Sequence, residues 1–370
     1  MKIAMIGHKR IPSREGGIEI VVERLSRIFA SLGHEVVAYN RKGHHVAGKE
    51  YGKGLSVVEG VKIKTVFTFQ NSKLNAIVYT ALATLRALFS RFDVFHYHAE
   101  GPAALCFLPK LLGKRVVVTI HGLDWQRSKW GGFATRFLLL GERTAVKYAD
   151  RIIVLSNGVQ QYFLDKYGRE TVYIPNGVEK PELHEAEIIK EKYSLEKDGY
   201  ILYLGRIVPE KRVDLLINAY KEIDTEKKLV IAGGSSHTDG YLDEVKSLAK
   251  DDERIIFTGF VDGQELEELY SNAYIYCLPS EVEGMPLSLL EAMSYSNCCL
   301  ASDISECTEV CEDKACYFKS GSLESLKEKL ERLLNDDALT FSYKKGASDF
   351  ICNKYNWDEI AEKTLKLYQG

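Results

Sequence analysis

One stretch constrains the fold of this chain more than any other. A short apolar run at residues 274–278 leads into an acidic loop with a glycine, and a helix pattern follows Pro286. A short apolar run that ends in a loop predicts a buried strand, and proline is typical of the first turn of a helix. A strand, a loop and a helix in this order predict an open α/β sheet, which binds ligands beyond the carboxyl ends of its strands.

Two glutamates flank the predicted helix start. Glu283 precedes the helix and Glu291 lies about two turns inside it. The free N–H groups and the dipole at a helix N-terminus attract an anion, so the residues there, Gly284, Met285 and Leu287, are predicted to bind a diphosphate. Two carboxylates beside such a site suit a ligand that carries both phosphate and hydroxyl groups. Alternatively, Glu283 is only an acid at a helix start and Glu291 only an exposed helix residue.

The first residues of the chain carry a related pattern. Residues 2–6 predict a strand, Gly16 and Gly17 open a helix that runs to about residue 31, and residues 35–39 predict the next strand. This succession opens a doubly wound sheet. The loop lacks G-x-G-x-x-G, so a dinucleotide fingerprint is absent. A glycine pair at a helix start still lets a diphosphate or a sugar approach the backbone, although a plain tight turn remains the alternative.

The strand-then-glycine pattern restarts in the second half, at residues 200–204. Arg206 and Lys211 follow this strand on one loop. Their spacing lets both cations converge on one diphosphate, the arginine as a fork and the lysine as a point charge; solvated surface charge is the alternative. The pattern predicts one domain at 1–176, a linker at 177–197, a second domain at 198–353 and a final helix at 354–370.

Histidines follow two predicted strands of the first half. A strand at 93–97 leads into His98 and Glu100, and a strand at 116–120 is followed directly by His121. Residues at the carboxyl ends of parallel strands face the ligand side of the sheet. His121 is therefore a candidate catalytic residue, although a single histidine at such a position is structural about as often.

Composition bounds the class of protein. With 45% hydrophobic and 27% charged residues the chain is an ordinary globular protein. The apolar start at residues 1–7 is too short for a signal peptide, and no window of about 18 apolar residues predicts a spanning helix. Eight cysteines without a regular framework predict a reduced, cytoplasmic protein. Cys307, Cys311 and Cys316 lack a C-x2-C pair and a nearby histidine, so no metal site is predicted.

Charge is divided unequally along the chain. Residues 1–176 contain 26 Lys and Arg against 13 Asp and Glu, a net charge of +13, whereas the remaining 23 and 39 give −16. The basic N-terminal half suggests that the protein binds an anionic surface, either membrane lipid or nucleic acid.

The segment 72–92 bears on the choice between these two partners. Its apolar residues follow a helical period, with Lys73, Arg86 and Arg91 beside them. The pattern predicts a crossover helix packed into the core, and an interfacial helix is the alternative. The predicted apolar face consists of Leu74, Ile77, Val78, Ala81, Leu82, Leu85, Leu88 and Phe89.

Four motifs in this order resemble the retaining family-4-type glycosyltransferases of the GT-B fold, including the bacterial rhamnosyltransferase-like group. They are the loop with Gly16-Gly17, the "HGLDW" run from His121 that leads on to "KWGG", the "GRIVPEK" run with Arg206 and Lys211, and Glu283-x7-Glu291. The run "IPNGV" at 174–178 resembles the hinge of that family, here followed by Glu179 in place of aspartate. Arg212 stands where the family has glycine, which puts the tightness of that loop in question.

The resemblance implies a fold, a reaction and residue roles. It implies two doubly wound domains facing across a cleft, with the C-terminal helix returning to the N-terminal domain, and transfer of a sugar from a nucleotide-diphosphate donor with retention. Gly16, Gly17, Arg206 and Lys211 would bind the donor diphosphate together with Gly284, Met285 and Leu287. His121 would lie beside the reacting sugar carbon, Glu283 would contact the donor sugar, and Glu291 would bind the ribose.

The resemblance also predicts partners. The acceptor would be a glycan or a lipid-linked molecule of cell-envelope polysaccharide or glycolipid synthesis. No metal and no other cofactor are predicted, because cations occupy the place where a metal would be needed. Nucleic acid is not predicted. The unequal charge predicts docking on the inner face of the plasma membrane through the N-terminal domain. Alternatively, the basic residues serve the anionic donor and pair with the acidic domain, which requires no membrane.

Rival functions remain open at this stage. A Rossmann dehydrogenase would need the missing fingerprint, and a nucleic-acid-binding module would need aromatic and basic residues at a spacing that is absent. A GT-B nucleotide-sugar epimerase or a phosphorylase would share the architecture. Turnover of the donor without an acceptor would identify the epimerase, and a lysine-bound pyridoxal cofactor the phosphorylase.

Overall fold

A computed structural model describes residues 1–43, 56–69, 75–126, 132–235 and 239–370 of the chain. The chain divides into two compact units. Unit 1 comprises Met1–Asn176 together with Trp357–Gly370, and unit 2 comprises Gly177–Asn356. Each unit is a parallel sheet with helices between its strands, as the pattern of strands and glycine loops predicts.

Unit 1 contains eight strands and seven helices among its described residues. The strands are β1 (Lys2–Ile6), β2 (Glu35–Arg41), β3 (Val57–Val58), β4 (Val61–Val66), β5 (Val94–His98), β6 (Arg115–Ile120), β7 (Arg151–Val154) and β8 (Val172–Tyr173). The helices are α1 (Gly17–Ser31), α2 (Asn75–Leu88), α3 (Glu100–Ala103), α4 (Phe107–Leu111), α5 (Gly132–Tyr148), α6 (Asn157–Tyr167) and, at the end of the chain, α16 (Trp357–Gln369).

The sheet of unit 1 has the strand order β3-β4-β2-β1-β5-β6-β7-β8. Its named pairs are parallel except β3 with β4. The order reverses between β1 and β5, because the chain moves outward from β1 in one direction and from β5 in the other. Such a reversal leaves a crevice at the carboxyl ends of the two strands. The central strands are buried on both faces, which explains why they form continuous apolar runs.

Unit 2 contains six strands and nine helices among its described residues. The strands are β9 (Tyr200–Leu204), β10 (Lys228–Ala232), β11 (Ile255–Gly259), β12 (Ile275–Leu278), β13 (Cys298–Ser302) and β14 (Cys316–Phe318). The helices are α7 (Ile188–Tyr193), α8 (Val213–Lys221), α9 (Asp239–Ala249), α10 (Gly263–Asn272), α11 (Leu287–Ser294), α12 (Ser305–Cys311), α13 (Leu323–Asn335), α14 (Asp337–Lys344) and α15 (Ala347–Lys354).

The sheet of unit 2 is parallel in all its named pairs, with the order β11-β10-β9-β12-β13-β14. Here the order reverses between β9 and β12. The loops that follow these two neighbouring strands therefore border the crevice in which an open α/β sheet binds its ligand.

The C-terminal helix α16 belongs to unit 1, as predicted. Its Tyr368 hydroxyl lies 2.6 Å from Nδ1 of His96, and the guanidinium of Arg115 donates two hydrogen bonds to the carbonyl of Leu367. The Tyr368 ring also packs edge-on against Phe29 of α1. These contacts join α16 to residues that precede it by more than 250 positions.

The segment 177–197, predicted as a linker, belongs to unit 2. The buried Glu268 carboxylate accepts hydrogen bonds from the backbone N–H groups of Glu187 and Ile189, at 3.0 and 3.1 Å. The side-chain amide of Asn272 donates to the carbonyl of His184. Ile189 and Leu195 of this segment are also buried. Most of its other residues are polar and are held by side chains of α10, so its sequence alone resembles a linker.

Helix α2 packs through a different face from the one predicted. The described part of the predicted face includes Leu82, Leu85 and Phe89, which are 39%, 46% and 92% exposed. The buried residues are instead Tyr79, Thr80, Ala83, Thr84 and Ala87. The alanines and threonines among them let the helix approach the sheet closely. The Tyr79 hydroxyl donates a hydrogen bond to the carbonyl of Tyr39 and accepts one from the N–H of Gly7. Ser72, Lys73 and Leu74 lie outside the described residues.

Within the described ranges, no helix is both long enough and apolar enough to cross a bilayer.

Candidate functional site

Lys211 and Glu283 form an ion pair at the crevice of unit 2. Lys211 ends a short 3₁₀ turn (Pro209–Lys211) on the loop after β9, and Glu283 lies on the loop after β12. The ammonium group of Lys211 contacts Oε1 of Glu283, and the two side chains are only 13% and 8% exposed. Two opposite charges that are taken out of water need each other or a ligand. The structure thus joins two predicted site residues that are 72 positions apart.

The backbone also connects these two loops. The N–H of Glu281 donates to the carbonyl of Glu210 at 2.9 Å, and the guanidinium of Arg212 contacts Oε1 of Glu281 and bonds Asp214. A shift of one loop would therefore carry the other with it.

The loop before α8 makes a tight turn although Arg212 stands where the family has glycine. Arg212 adopts the left-handed conformation that glycine favours, with φ 50° and ψ 42°. A non-glycine residue reaches this region at some cost in free energy. Its ion pairs with Asp214 and Glu281 offset that cost, so the tight turn between the 3₁₀ turn and α8 forms without glycine.

Arg206 lies on the same loop, directly after β9. The carbonyl of Arg206 accepts a hydrogen bond of 2.8 Å from the hydroxyl of Tyr203, which is fully buried. Gly233 has a φ of 137°, and a Cβ there would lie 1.8 Å from the carbonyl oxygen of Gly205. Because glycine has no Cβ, the loops after β9 and β10 can run side by side at this point. Tyr203 and Gly233 are supporting residues that the motif search did not identify.

Helix α11 begins beside Glu283, as predicted, with Pro286 at its N-cap position. Leu287 and Ser288 lie in the first turn, where the helix itself offers no carbonyl acceptor for their N–H groups. The N–H of Leu289 is the next, and it donates to the carbonyl of Pro286 at 3.0 Å. Met285 and Gly284 are buried in the loop.

Glu291 lies on the same helix and is half-buried rather than exposed. Its Oε2 accepts a hydrogen bond of 3.2 Å from the hydroxyl of Tyr270, and this contact holds the carboxylate in place. The structure therefore disfavours the interpretation of Glu291 as an exposed helix residue. Its predicted contact with a ribose stays a prediction.

In unit 1 the crevice lies between β1 and β5. Gly7 follows β1 with a φ of 127°, and a Cβ on it would lie 2.2 Å from the carbonyl oxygen of His98. Gly16 is the N-cap of α1 and Gly17 its first residue, so both glycines lie at the predicted helix start. A Cβ on Gly16 would meet the carboxylate of Glu19. That carboxylate accepts the N–H of Lys9 and thereby holds the loop against α1.

Four histidines surround the same crevice. His8, His96 and His98 are fully buried, and His121 is half-buried. Burial lowers the pKa of His8 to about 4 and that of His96 to about 3, and it places the pKa of His98 well below its usual range. The three buried rings are therefore neutral near pH 7.

A second polar cluster lies behind the loop that follows His121. The buried carboxylate of Glu142 accepts hydrogen bonds from the hydroxyls of Tyr162 and Tyr167, the ammonium of Lys166 and the indole N–H of Trp125. Nearby, burial raises the pKa of Glu100 to about 10, and the charges of Asp124 and Glu142 add to this effect. The cluster anchors the "HGLDW" loop through Trp125.

Glu100 was identified from the sequence only as a neighbour of His98, and Glu142 was not identified. A glutamate within the apolar α5 is the signal that could have identified Glu142, because an unpaired carboxylate is not tolerated there. Arg127, Lys129 and Trp130, which follow the "HGLDW" run, lie outside the described residues.

The predicted site residues divide between the units. Gly16, Gly17 and His121 lie in unit 1. Arg206, Lys211, Glu283, Gly284, Met285, Leu287 and Glu291 lie in unit 2. In unit 2 they lie on the loops after β9 and β12, which flank the reversal of strand order, and on α11. In unit 1 the two glycines follow β1, which flanks the reversal, and His121 follows β6, the neighbour of β5.

Among the residues that the structure describes, no three His, Cys, Asp or Glu side chains are grouped as ligands of a metal ion. The expectation that no metal is required remains a prediction.

Comparison with known protein families gives two matches that together span most of the chain. Residues 15–180 match the model described as "Glycosyltransferase Family 4", and residues 185–350 match "Glycosyl transferases group 1". The boundary between the matches falls close to the boundary between the two units.

Similar proteins cover the full length of the chain. Alpha-maltose-1-phosphate synthase of Mycolicibacterium smegmatis is 24% identical, over 100% of this chain and 99% of that protein. Sucrose-phosphate synthase of Thermosynechococcus elongatus has a TM-score of 0.83 at 19% identity, covering 100% and 98%. HepE of Anabaena in complex with UDP-glucose has a TM-score of 0.80 at 15% identity, covering 99% and 98%. At these identities the solved structures establish the fold, which is GT-B as predicted.

Proposed function

Because both halves match glycosyltransferase models, the chain belongs to the family-4-type glycosyltransferases of the GT-B fold, and we propose that it is a retaining hexosyl- or deoxyhexosyltransferase. The donor is a nucleotide-diphosphate sugar and the acceptor a glycan or a lipid-linked molecule. The bound UDP-glucose of the Anabaena protein supports a donor of this class.

The Lys211–Glu283 pair is the observation that carries this proposal. Transfer breaks the bond between the anomeric carbon and the diphosphate, so negative charge develops on the leaving group and positive charge on the sugar. The pair brings one cation and one anion to a single point of the crevice in unit 2. When the donor binds, Lys211 turns to the diphosphate and Glu283 to the sugar. Each charge then stabilises the transition state more than the ground state.

The remaining residues have supporting roles in this mechanism. Arg206 and the N–H groups at the start of α11 add to the stabilisation of the diphosphate. Glu291 holds the ribose hydroxyls. In unit 1, Gly16 and Gly17 let the diphosphate approach the backbone, and His121 orients the reacting sugar. The leaving phosphate takes the proton of the acceptor hydroxyl, so the mechanism uses no enzymic nucleophile.

Stereochemistry tests the reaction class. We expect the first-formed glycoside to keep the anomeric configuration of the donor, because the leaving phosphate and the incoming hydroxyl share one face of the sugar. Turnover is expected to persist in EDTA, because Arg206 and Lys211 supply the positive charge. Proton NMR of the first product, with and without EDTA, measures both outcomes. An inverted anomer would refute retention, and loss of turnover in EDTA would refute independence from metal.

The donor must be identified before that experiment. A thermal-shift panel of UDP, GDP, ADP and dTDP selects the nucleotide. Incubation of the matching nucleotide sugar without acceptor then separates the transferase from an epimerase, because only an epimerase would convert the sugar under those conditions.

We further propose that the acceptor is lipid-linked and that unit 1 docks on an anionic membrane. Helices α2, α4 and α5 are neighbours on one side of the sheet. Their outward surface, here called the basic helical surface, combines exposed apolar and basic residues. It consists of Leu82, Leu85, Arg86, Phe89, Arg91, Leu111, Leu112, Arg136, Leu140, Arg143 and Lys147.

The charge of this surface favours anionic lipid. Glu142 is the one carboxylate in the three described helices, and it is fully buried. Each basic residue near an anionic bilayer contributes about 1 kcal/mol, and the exposed leucines and Phe89 can enter the headgroup region. Localisation on the inner face of the plasma membrane would bring the enzyme to an acceptor embedded in that leaflet.

Liposome co-sedimentation tests this docking. We expect binding to vesicles that contain anionic lipid and a decrease as salt shortens the screening length to about 8–10 Å. The double variant Arg136→Glu/Arg143→Glu should release the protein. A matched variant in unit 2, Lys190→Glu/Lys345→Glu, makes the same charge change on exposed lysines and should still bind. Equal binding to neutral and anionic vesicles, or none at low salt, would refute membrane docking but leave the transferase reaction unaffected.

A further inference from the structure

The register of β5 and β6 brings His98 and His121 together. His98 is opposite Thr119 in this parallel pair, and His96 is opposite Val117. Side chains two residues apart share one face of a sheet, so His96 and His98 lie on the same face as Thr119 and His121. Nδ1 of His98 lies 3.1 Å from Nε2 of His121, and the two rings are 5.4 Å apart.

The surroundings of His98 restrict it to a neutral ring. Its side chain is fully buried, and its ring packs against that of His96, with ring centres 4.1 Å apart and planes tilted by 35°. Burial lowers its pKa far below the usual range, and the neighbouring His96, His121 and His8 lower it further. Nε2 of His98 is buried and has no hydrogen-bond partner among the described residues. A second proton would place a cationic N–H there without an acceptor, so the ring carries a single proton.

The position of this proton follows from hydrogen bonding. If Nε2 carried it, a buried N–H would lack an acceptor, which costs about 1–3 kcal/mol. If Nδ1 carries it, the N–H donates to Nε2 of His121 and only a lone pair remains unpaired. The second arrangement is favoured. It makes Nε2 of His121 an acceptor, so a neutral His121 carries its own proton on Nδ1.

His96 restricts the orientation of the His98 ring. Its two nitrogens lie 2.6 Å from the hydroxyl of Tyr368 and 2.7 Å from Oγ1 of Thr119. The ring of His96 is thereby fixed between α16 and β6, and the ring of His98 packs against it. The imidazole that contacts His121 therefore has little freedom to turn.

We propose that His98 is a positioning residue that fixes the tautomer of His121, so that His121 presents its Nδ1–H as a hydrogen-bond donor to the ligand. This inference rests on the proposed role of His121 in orienting the donor sugar. A donor at Nδ1 suits an oxygen of the sugar or of the leaving phosphate. The opposite tautomer would present a lone pair, which repels a phosphate oxygen and can only accept a hydrogen bond from a sugar hydroxyl.

Nitrogen NMR tests the tautomer without turnover. In protein labelled with ¹⁵N-histidine, a long-range ¹H–¹⁵N spectrum separates the protonated from the unprotonated ring nitrogen. His121→Gln identifies the signals of His121 by their loss. We expect the neutral His121 ring to be protonated at Nδ1 in the wild-type protein. Protonation at Nε2 would overturn the proposal, and this result does not depend on whether the donor has been identified.

Two substitutions of His98 separate positioning from packing. The amide side chain introduced by His98→Asn can place an N–H near the position of Nδ1, whereas His98→Leu fills a similar volume without a donor. We expect His98→Leu to lower kcat about 100-fold, because small displacements of a catalytic group cost about that much. The KM for the donor should change little, and His98→Asn should recover most of the activity.

The outcomes distinguish the two proposals. Equal loss of kcat in both variants would show that His98 acts through packing alone, and it would overturn the positioning role. His34→Gln, a histidine near the start of β2 and remote from the crevice, is the control and should leave kcat unchanged. If no nucleotide sugar is turned over, the proposed function fails, whereas a wild-type spectrum with Nδ1–H would still support the contact between the two histidines.

Discussion

Replacement of Lys211 with methionine is expected to weaken binding of the nucleoside diphosphate roughly 10- to 150-fold. The substitution keeps the length of the side chain and removes one charge-assisted contact, worth about 1.5–3 kcal/mol. Arg206→Ala removes the second cation and should cause a loss of similar size. Isothermal titration calorimetry with the nucleotide selected by the thermal-shift panel measures both. Unchanged affinity in both variants would refute the assignment of this loop to the diphosphate.

Lys190→Met is the matched control for this experiment. Lys190 lies in the same unit but is 62% exposed and pairs with Glu196 on the surface, and such exposed pairs contribute about 0–1 kcal/mol. The affinity of the Lys190→Met variant for the nucleoside diphosphate should equal that of the wild-type protein. Because Lys211→Met leaves Glu283 without its partner, circular dichroism should accompany the titration to show that the variant remains folded.

Glu283→Gln is expected to lower kcat about 100- to 1000-fold while the affinity for the nucleoside diphosphate changes little. Glutamine preserves the shape of the side chain but not the negative charge that opposes the positive sugar in the transition state. Loss of one preorganised electrostatic contact costs about this much in other enzymes. Initial rates at saturating donor, together with calorimetry, separate the two quantities.

Glu281→Gln provides the comparison two residues earlier on the same loop. Glu281 makes its ion pair with Arg212 and not with Lys211, so its loss should disturb the turn but not the charge beside the sugar. We expect at most a modest decrease in kcat. Equal losses in the two variants would indicate that Glu283 acts by holding the loop, and the catalytic role proposed for it would then be wrong.

The strands and the loops of the site could be predicted from local pattern. Lys2–Ile6, Tyr200–Leu204 and Cys298–Ser302 begin and end where the apolar runs do. A strand buried on both faces must be apolar throughout, and the residues after it must turn. The approximate place of Lys211 and Glu283 follows, because both lie directly beyond such strands.

Their mutual contact could not be predicted in the same way. The spacing of residues along one loop says nothing of a partner 72 positions away. The ion pair arises because β9 and β12 are neighbours in the sheet, and the order of strands depends on how the helices pack between them. From the sequence, Lys211 and Glu283 were therefore each predicted to contact a ligand, and their contact with one another was not predicted.

The buried face of helix α2 is a second feature that the sequence alone did not predict. The period of the helix was recognised, but the wrong face was assigned to the core because leucines outweighed alanines and threonines in the prediction. A helix that lies close to a sheet needs small side chains at the contact, and only the distance between the two elements reveals that need. The exposed leucines then become part of the basic helical surface.

The amino-acid order alone established the α/β class, the two-unit plan and the positions of the loops that carry charge, since these depend on periodicity and on turn residues close together in the chain. The pairing of Lys211 with Glu283, the burial of Glu142 and the contact of His98 with His121 depended on folding. Each joins side chains from separate elements, and their protonation and orientation are set by burial and by partners that come together only when the sheets and helices pack.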